Sequence, residues 1–272
     1  ALEKGCHVLI EKPMTMTAAQ AEQLLHVAEK QGVHFLISCP WHYTARNIEA
    51  RRLIQTGALG QLKMISVLMT NFCGGLYRQQ PWEELFGDGD AFESASAPYQ
   101  RPGRESYSDP AVAGGGQIYC QVSHVAAHLA FITGARAIEV FARFDQGGTQ
   151  VDVYDTLNIK LDNGALVAIA STGATMLSER NYEVRIYGEQ GMLHMELWQG
   201  TMAFHDGSGK VQSYPALDDS SAYPIHAPAK NLIDLILGEA ENGSPAALGA
   251  MAMAVIEAAC TSVATGRNVT LT

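Results

Sequence analysis

Two groups of side chains in this 272-residue sequence have types and spacings suited to chemistry. The first is Glu11-Lys12-Pro13, directly after the apolar run His7-Val8-Leu9-Ile10. A lysine at the C-terminal end of a parallel strand stands where open α/β sheets bind their ligands. Partly desolvated, its amine serves as an acid or base; left in water, it is only a strand-end charge. Position alone weighs these two readings evenly. The second group follows Gly114-Gly115-Gly116: Gln117, Cys120, Gln121, His124 and His128 recur at steps of three and four. That spacing predicts one helix face, opposite an apolar stripe of Ile118, Val122, Val125, Ala126 and Leu129. Such histidines either handle protons or are satisfied by carbonyls, and singly the second is commoner. Cys120, His124 and His128 have a metal-like spacing, but no local carboxylate joins them and no HExxH is present, so no metal is expected.

Trp41, His42 and Tyr43 follow a second strand end beside Lys12 and either line the same pocket or pack a junction. Gly207-Ser208-Gly209-Lys210 has the composition of a phosphate loop but the wrong spacing. No G-x-G-x-x-G occurs among the 26 glycines.

The elements that must position these residues begin with a short βαβ unit. His7–Ile10 reads as a buried strand, a helix runs to about Lys30 from a Thr15 or Thr17 cap, and Val33–Ser38 is a second buried strand. That order implies a parallel pair with a right-handed crossover. A helix over about 45–55 and a strand over 62–71 follow. Residues 74–113, rich in Gly, Pro, Ser and Asp, read as a long loop of the lid or binding type. The triple glycine opens a helix over about 117–132. Beyond it, strands at 137–144, 154–161, 166–172, 182–187, 192–197 and 202–205 are separated by short turns such as Asp162-Asn163-Gly164, which predicts an antiparallel sheet. Two helices, about 229–237 and 247–265, precede a last strand at 269–271.

Composition excludes several classes. The apolar share of 47% with 17% charged residues is globular. A net charge of −10 and no Lys/Arg run argue against nucleic acid. No apolar stretch is expected to approach the roughly 20 residues of a membrane span. Five scattered cysteines without a CxxC pair predict reduced thiols in a cytoplasmic protein.

In their order, these motifs resemble the Gfo/Idh/MocA family of NAD(P)-dependent oxidoreductases. Residues 1–13, ending in Glu11-Lys12-Pro13, are similar to its fifth Rossmann strand and EKP motif; Leu53–Gly60 to its linker helix and turn; Gly114-Gly115-Gly116 with His124 to its glycine-led helix; and Ala247–Leu271 to its C-terminal helix and strand. The resemblance implies an α/β (α+β) fold: a Rossmann βαβ remnant over 1–40, then an α/β domain over 41–272 with a large, open, mostly antiparallel sheet. It implies that Lys12 and His124 are catalytic, that Glu11, Lys12, Pro13 and Trp41 lie on the cofactor side, and that Gln117, Cys120, Gln121, His42 and Tyr43 lie on the substrate side. Cys120 falls where the family carries an Asp. The implied reaction transfers a hydride between NAD or NADP and a sugar, polyol or related cyclic alcohol. Rivals are an NAD-dependent glycosidase-type hydrolase or lyase on the same fold, and a non-catalytic binding or assembly protein. The chain lacks the family's glycine fingerprint and opens without Met, so it is expected to be part of a truncated or longer protein and to bind no cofactor alone. A homodimer or tetramer formed through the open sheet is expected.

Overall fold

The computed structural model describes residues 1–81, 84–85, 103–176 and 179–271. Of the long loop expected over 74–113, residues 82–83 and 86–102 lie outside the described residues; the rest holds short helical turns at Gly74–Tyr77, Arg104–Ser106 and Pro110–Ala113.

The chain begins with β1 (Val8–Glu11), α1 (Ala18–Gln31) and β2 (Phe35–Ser38). The strands pair in parallel, Val8 with Phe35 through Glu11 with Ser38. Helix α1 starts where a capping box forms: the Thr17 hydroxyl accepts from the Gln20 N–H, and the Gln20 side chain accepts from the Thr17 N–H. Gly32, with φ +63°, ends it. Unlike β2, β1 is only half-buried, because β2 is its sole hydrogen-bonded neighbour among the described residues.

Helix α2 (Ala45–Gln55) leads into a nine-stranded sheet. Its strands are β3 (Leu62–Thr70), β4 (Ala137–Asp145), β5 (Tyr154–Leu161), β6 (Leu166–Thr172), β7 (Asn181–Gly188), β8 (Gly191–Glu196), β9 (Thr201–Asp206), β10 (Val211–Tyr214) and β11 (Val269–Thr270). The spatial order is β10-β9-β8-β7-β3-β6-β5-β4-β11. Every pairing is antiparallel except β3 with β6. The period-2 pattern decides which face is covered. Ile65, Val67 and Met69 of β3, with Leu157 and Ile159 of β5 and Val167 and Ile169 of β6, point into the core. Met64, Leu68, Tyr154 and Leu166 stay exposed on the open face.

The covered face packs α3 (Ser123–Thr133) and α5 (Ala246–Thr265), while α4 (Ala227–Ile236) packs near β1 and β2. Contrary to the sequence expectation, α5 is long and apolar enough by length and composition to cross a membrane. Here it lies against α1, α3 and β4, with half of its apolar window buried, as a core helix does. One hydrophobic cluster runs from Leu2 and Phe35 through the sheet to Ala259, so both sheets share a core.

Candidate active site

The end of β1 aims Lys12 at the turn that follows the triple glycine. Its Nζ donates to the carbonyl oxygen of Cys120 at 2.6 Å. The sequence predicted one regular helix here. The structure instead winds Ile118–Val122 as a π turn before α3 begins at Ser123. Such wider turns recur at functional sites.

Asp152 holds the entry to that turn. Its Oδ1 accepts from the Gly116 N–H at 2.8 Å and its Oδ2 from the Ile118 N–H at 2.6 Å, while its own carbonyl accepts from the Gln117 N–H at 3.0 Å. Three otherwise free amides are thereby satisfied by one residue. The contact also explains the third glycine: a Cβ on Gly116 would sit 2.0 Å from the Asp152 carbonyl oxygen.

The turn is not two-faced as predicted; Gln117, Ile118, Val122, His124 and His128 are all buried. Gln117 is consumed by structure. Its Oε1 accepts from the Tyr77 hydroxyl and its Nε2 donates to Ser171 Oγ, each at 2.8 Å, and the side chain is fully buried. His128 bridges the Tyr182 hydroxyl and Asn47 Oδ1 at 3.0 and 2.9 Å. Burial holds its pKa down at about 3, so it is a neutral core histidine.

His124 differs. Its Nδ1 is buried and has no hydrogen-bond partner among the described residues. The edge of Trp41 packs on its ring, with centroids 5.1 Å apart. Burial first, then the nearby Lys12 charge, then His42 and His128, hold its pKa well below the ordinary value. The neutral form of the imidazole is therefore favoured. An orphaned ring nitrogen is costly unless something else uses it.

Cys120 occupies the remaining corner. The Gln121 amide lies 3.5 Å from its sulfur and 3.7 Å from that of Cys73. The hydrogen bond from the Cys73 thiol, then the Lys12 charge, Tyr77 and Gln121, lower its pKa against the opposing effect of burial. Negative charge on this sulfur is thus favoured beside Lys12, in the position where the family resemblance expects a carboxylate.

Lys12, Cys120, Gln121 and His124 come together at the β1 end, with Glu11 and Pro13 beside them. Three further expected site residues make packing contacts. Trp41, expected on the cofactor side, is 2% exposed and enclosed by Tyr182, Trp198 and Tyr223. His42, expected on the substrate side, is equally buried: its Nδ1 meets Ser244 Oγ at 2.8 Å and its ring stacks on Phe131. The Tyr43 hydroxyl donates to Asn231 of α4, so that ring packs a junction. Asp152, Tyr77 and Cys73 escaped the sequence reading because long stretches of chain separate them from the glycines or from Cys120. Gly207–Lys210 is the β9–β10 hairpin, tied by Asp206 Oδ1 to the Ser208 and Lys210 N–H groups. No group of three metal-ligating side chains exists among the described residues. A cavity of about 610 Å³ on the Gly114–Ile118 flank, lined also by Asp145, Asp152 and Cys260, includes neither Lys12 nor His124.

A dinucleotide needs more than a strand-end lysine. Its pyrophosphate is held by free N–H groups at a glycine-rich βα turn and helix N-terminus. The N-terminus of α1 cannot serve, since the Ala18 N–H bonds Glu257 at 2.7 Å and the Gln20 N–H bonds Thr17. The described residues at this N-terminus do not fit the phosphates of such a cofactor.

Comparison with known proteins agrees with this architecture. The profile of the GFO/IDH/MocA C-terminal domain matches residues 83–194, and that of the oxidoreductase family's NAD-binding Rossmann fold matches residues 1–38. A 1-carboxy-3-chloro-3,4-dihydroxycyclohexa-1,5-diene dehydrogenase of Comamonas testosteroni is 26% identical over 176 residues, covering 64% of this chain and 38% of that protein. A D-glucoside 3-dehydrogenase of Escherichia coli (strain K12) is 31% identical over 74 residues, 27% of this chain and 21% of that one. The aldose-aldose oxidoreductase of Caulobacter crescentus, solved with glycerol, shares the fold at TM-score 0.73 and 22% identity, covering 100% of this chain and 74% of that chain. The chain thus spans under two fifths of the length of these two curated relatives.

Proposed function

As this chain belongs to the Gfo/Idh/MocA family of oxidoreductases, we propose that it supplies the substrate half of a dehydrogenase acting on a sugar, polyol or related cyclic alcohol. The observation that carries this reading is the meeting of Lys12 with the turn bearing Cys120 and the orphaned His124. An alcohol loses a proton from oxygen and a hydride from carbon on oxidation. A nicotinamide cofactor, where a complete Rossmann domain held one, would supply the hydride acceptor. The neutral imidazole of His124 takes the hydroxyl proton. The Lys12 ammonium, fixed by the Cys120 carbonyl, stabilises the negative oxygen as that proton leaves. Gln121 offers an amide for a neighbouring hydroxyl. The names of two relatives, a dihydroxycyclohexadiene dehydrogenase and a D-glucoside 3-dehydrogenase, are in keeping with this substrate class.

The reading extends to assembly and place. The open sheet face, with Met64, Leu68, Tyr154 and Leu166 exposed, pairs with a second copy, and the five unpaired thiols suit a cytoplasmic protein. The test of function is ligand-detected NMR of this chain with a panel of aldoses, glucosides and inositols. At least one should bind, and Lys12→Ala and His124→Ala should each weaken it about tenfold or more. Equal binding by both variants would remove the site.

A further inference from the structure

Cys73 and Cys120 are 47 residues apart in sequence, yet both sulfurs lie within hydrogen-bond reach of the single Gln121 amide nitrogen. Cys73 leaves β3 in a tight turn: its N–H bonds Asn71 Oδ1, and its carbonyl accepts from Leu76 and Tyr77. Cys120 is fixed on the π turn by Lys12. Both residues are intermediate in exposure, whereas Cys39 is buried.

We propose that Cys73 and Cys120 form an oxidation site, a dithiol that a hydroperoxide converts to an intramolecular disulfide beside Lys12. The two sulfurs have unequal roles. The mutual influence of the two sulfurs raises the Cys73 thiol and lowers that of Cys120, and the Lys12 charge further favours the Cys120 thiolate. Cys120 is therefore the attacking sulfur and Cys73 the resolving one. The thiolate attacks the outer peroxide oxygen, breaking the O–O bond and forming a sulfenic acid; the leaving alkoxide takes a proton to become an alcohol, or water from hydrogen peroxide. The Cys73 sulfur then attacks the sulfenic sulfur, the S–S bond forms, and hydroxide leaves with the thiol proton as water. Two thiols are oxidised by two electrons and one peroxide is reduced by two. Cys39 and Cys260 are poor competitors, because burial pushes each thiol up to about 12.

Resting on the function proposed above, the consequence is loss of the anionic partner of Lys12 and of the Gln121 contact, hence reversible loss of sugar binding. The test of the bond itself is independent of any sugar. The chain is treated with stoichiometric hydrogen peroxide, alkylated, digested without reduction and mapped by mass spectrometry. The expected result is a Cys73–Cys120 linked peptide pair that dithiothreitol releases, with Cys39 alkylated only after unfolding and Cys260 outside the linked pair. In Cys73→Ser, dimedone should trap a sulfenic acid on Cys120. Exclusive linkage through exposed Cys6, or both thiols remaining alkylatable after peroxide, overturns the proposal. If the linked pair forms while sugar binding was never detected, the oxidation site stands and the function proposed above does not.

Discussion

The Lys12 ammonium donates to the Cys120 backbone carbonyl at 2.6 Å, across 108 residues of sequence. The bond joins the end of β1 to the π turn, so the position of the amine depends on the shape of that turn and not on the Cys120 side chain. Cys120→Ser should leave Lys12 in place, whereas anything that rewinds the turn should displace it.

Asp152→Ala is the substitution that rewinds it. It strips two charge-assisted bonds from the Gly116 and Ile118 amides and leaves them buried. The expected loss is about 3 kcal/mol in a urea melt, with Asp152→Asn losing about half as much because one carbonyl acceptor remains. Sugar binding should weaken in both variants. Unchanged melts would show that the glycine turn holds itself.

Stability should fall steeply below neutral pH. His42 and His128 each titrate at about 3 in the folded state, and His124 is likewise lowered. Their folded values lie below the unfolded one, so the unfolded chain binds more protons. The stabilisation they represent is complete above about pH 6.5 and is lost as pH drops towards the folded values, by about 1.4 kcal/mol per pH unit for each histidine. Urea melts between pH 7 and 4.5 measure the slope, and His128→Gln should reduce it by one histidine's share.

Asp155 has the opposite sign. Its carboxyl is buried on the covered sheet face with neither oxygen hydrogen-bonded among the described residues. Burial, then the Asp152 charge, raises its pKa to about 10. The folded state therefore holds a proton that the unfolded chain releases above about pH 4, and stability declines as pH rises from there towards 10. Asp155→Asn should stabilise the protein by a few kcal/mol at pH 7 and by little at pH 4. Equal effects at both pH values would mean the carboxyl is ionised in the fold.

The open sheet gives a prediction about assembly. Leu166, 58% exposed at the β6 start, lies beside Met64 of β3 on the open apolar face. Leu166→Lys should shift the species seen by light scattering from dimer or larger to monomer, without changing the melt by more than about 0.5 kcal/mol. A wild-type monomer at high concentration would contradict the pairing of this face.

Much of the fold was legible because the covered sheet strands alternate and their turns carry Gly or Asn; β5 and β6 fall on the predicted bounds. The capping box at Thr17 and Gln20 was legible for the same local reason. Edge strand β10 was missed because Val211–Tyr214 is largely exposed and shows no apolar alternation. The parallel β3–β6 pair is a non-local choice that short turns do not announce. In the site, Lys12 and His124 were readable by type and position. The π turn was not, because Asp152 and Lys12 shape it from 34 and 108 residues away. The partners of Gln117 and His128 were hidden likewise, which is why one looked like a ligand group and the other like one of three residues with metal-like spacing.

In the proposed reaction Lys12 and His124 share one hydroxyl. A crystal structure of this chain soaked with the best-binding sugar or polyol from the NMR panel tests that directly. The predicted result is a single carbinol oxygen within hydrogen-bond distance of both Lys12 Nζ and a His124 ring nitrogen. A ring seated instead in the cavity lined by Gly114, Asp145 and Cys260, with Lys12 still bound only to the Cys120 carbonyl, would contradict it.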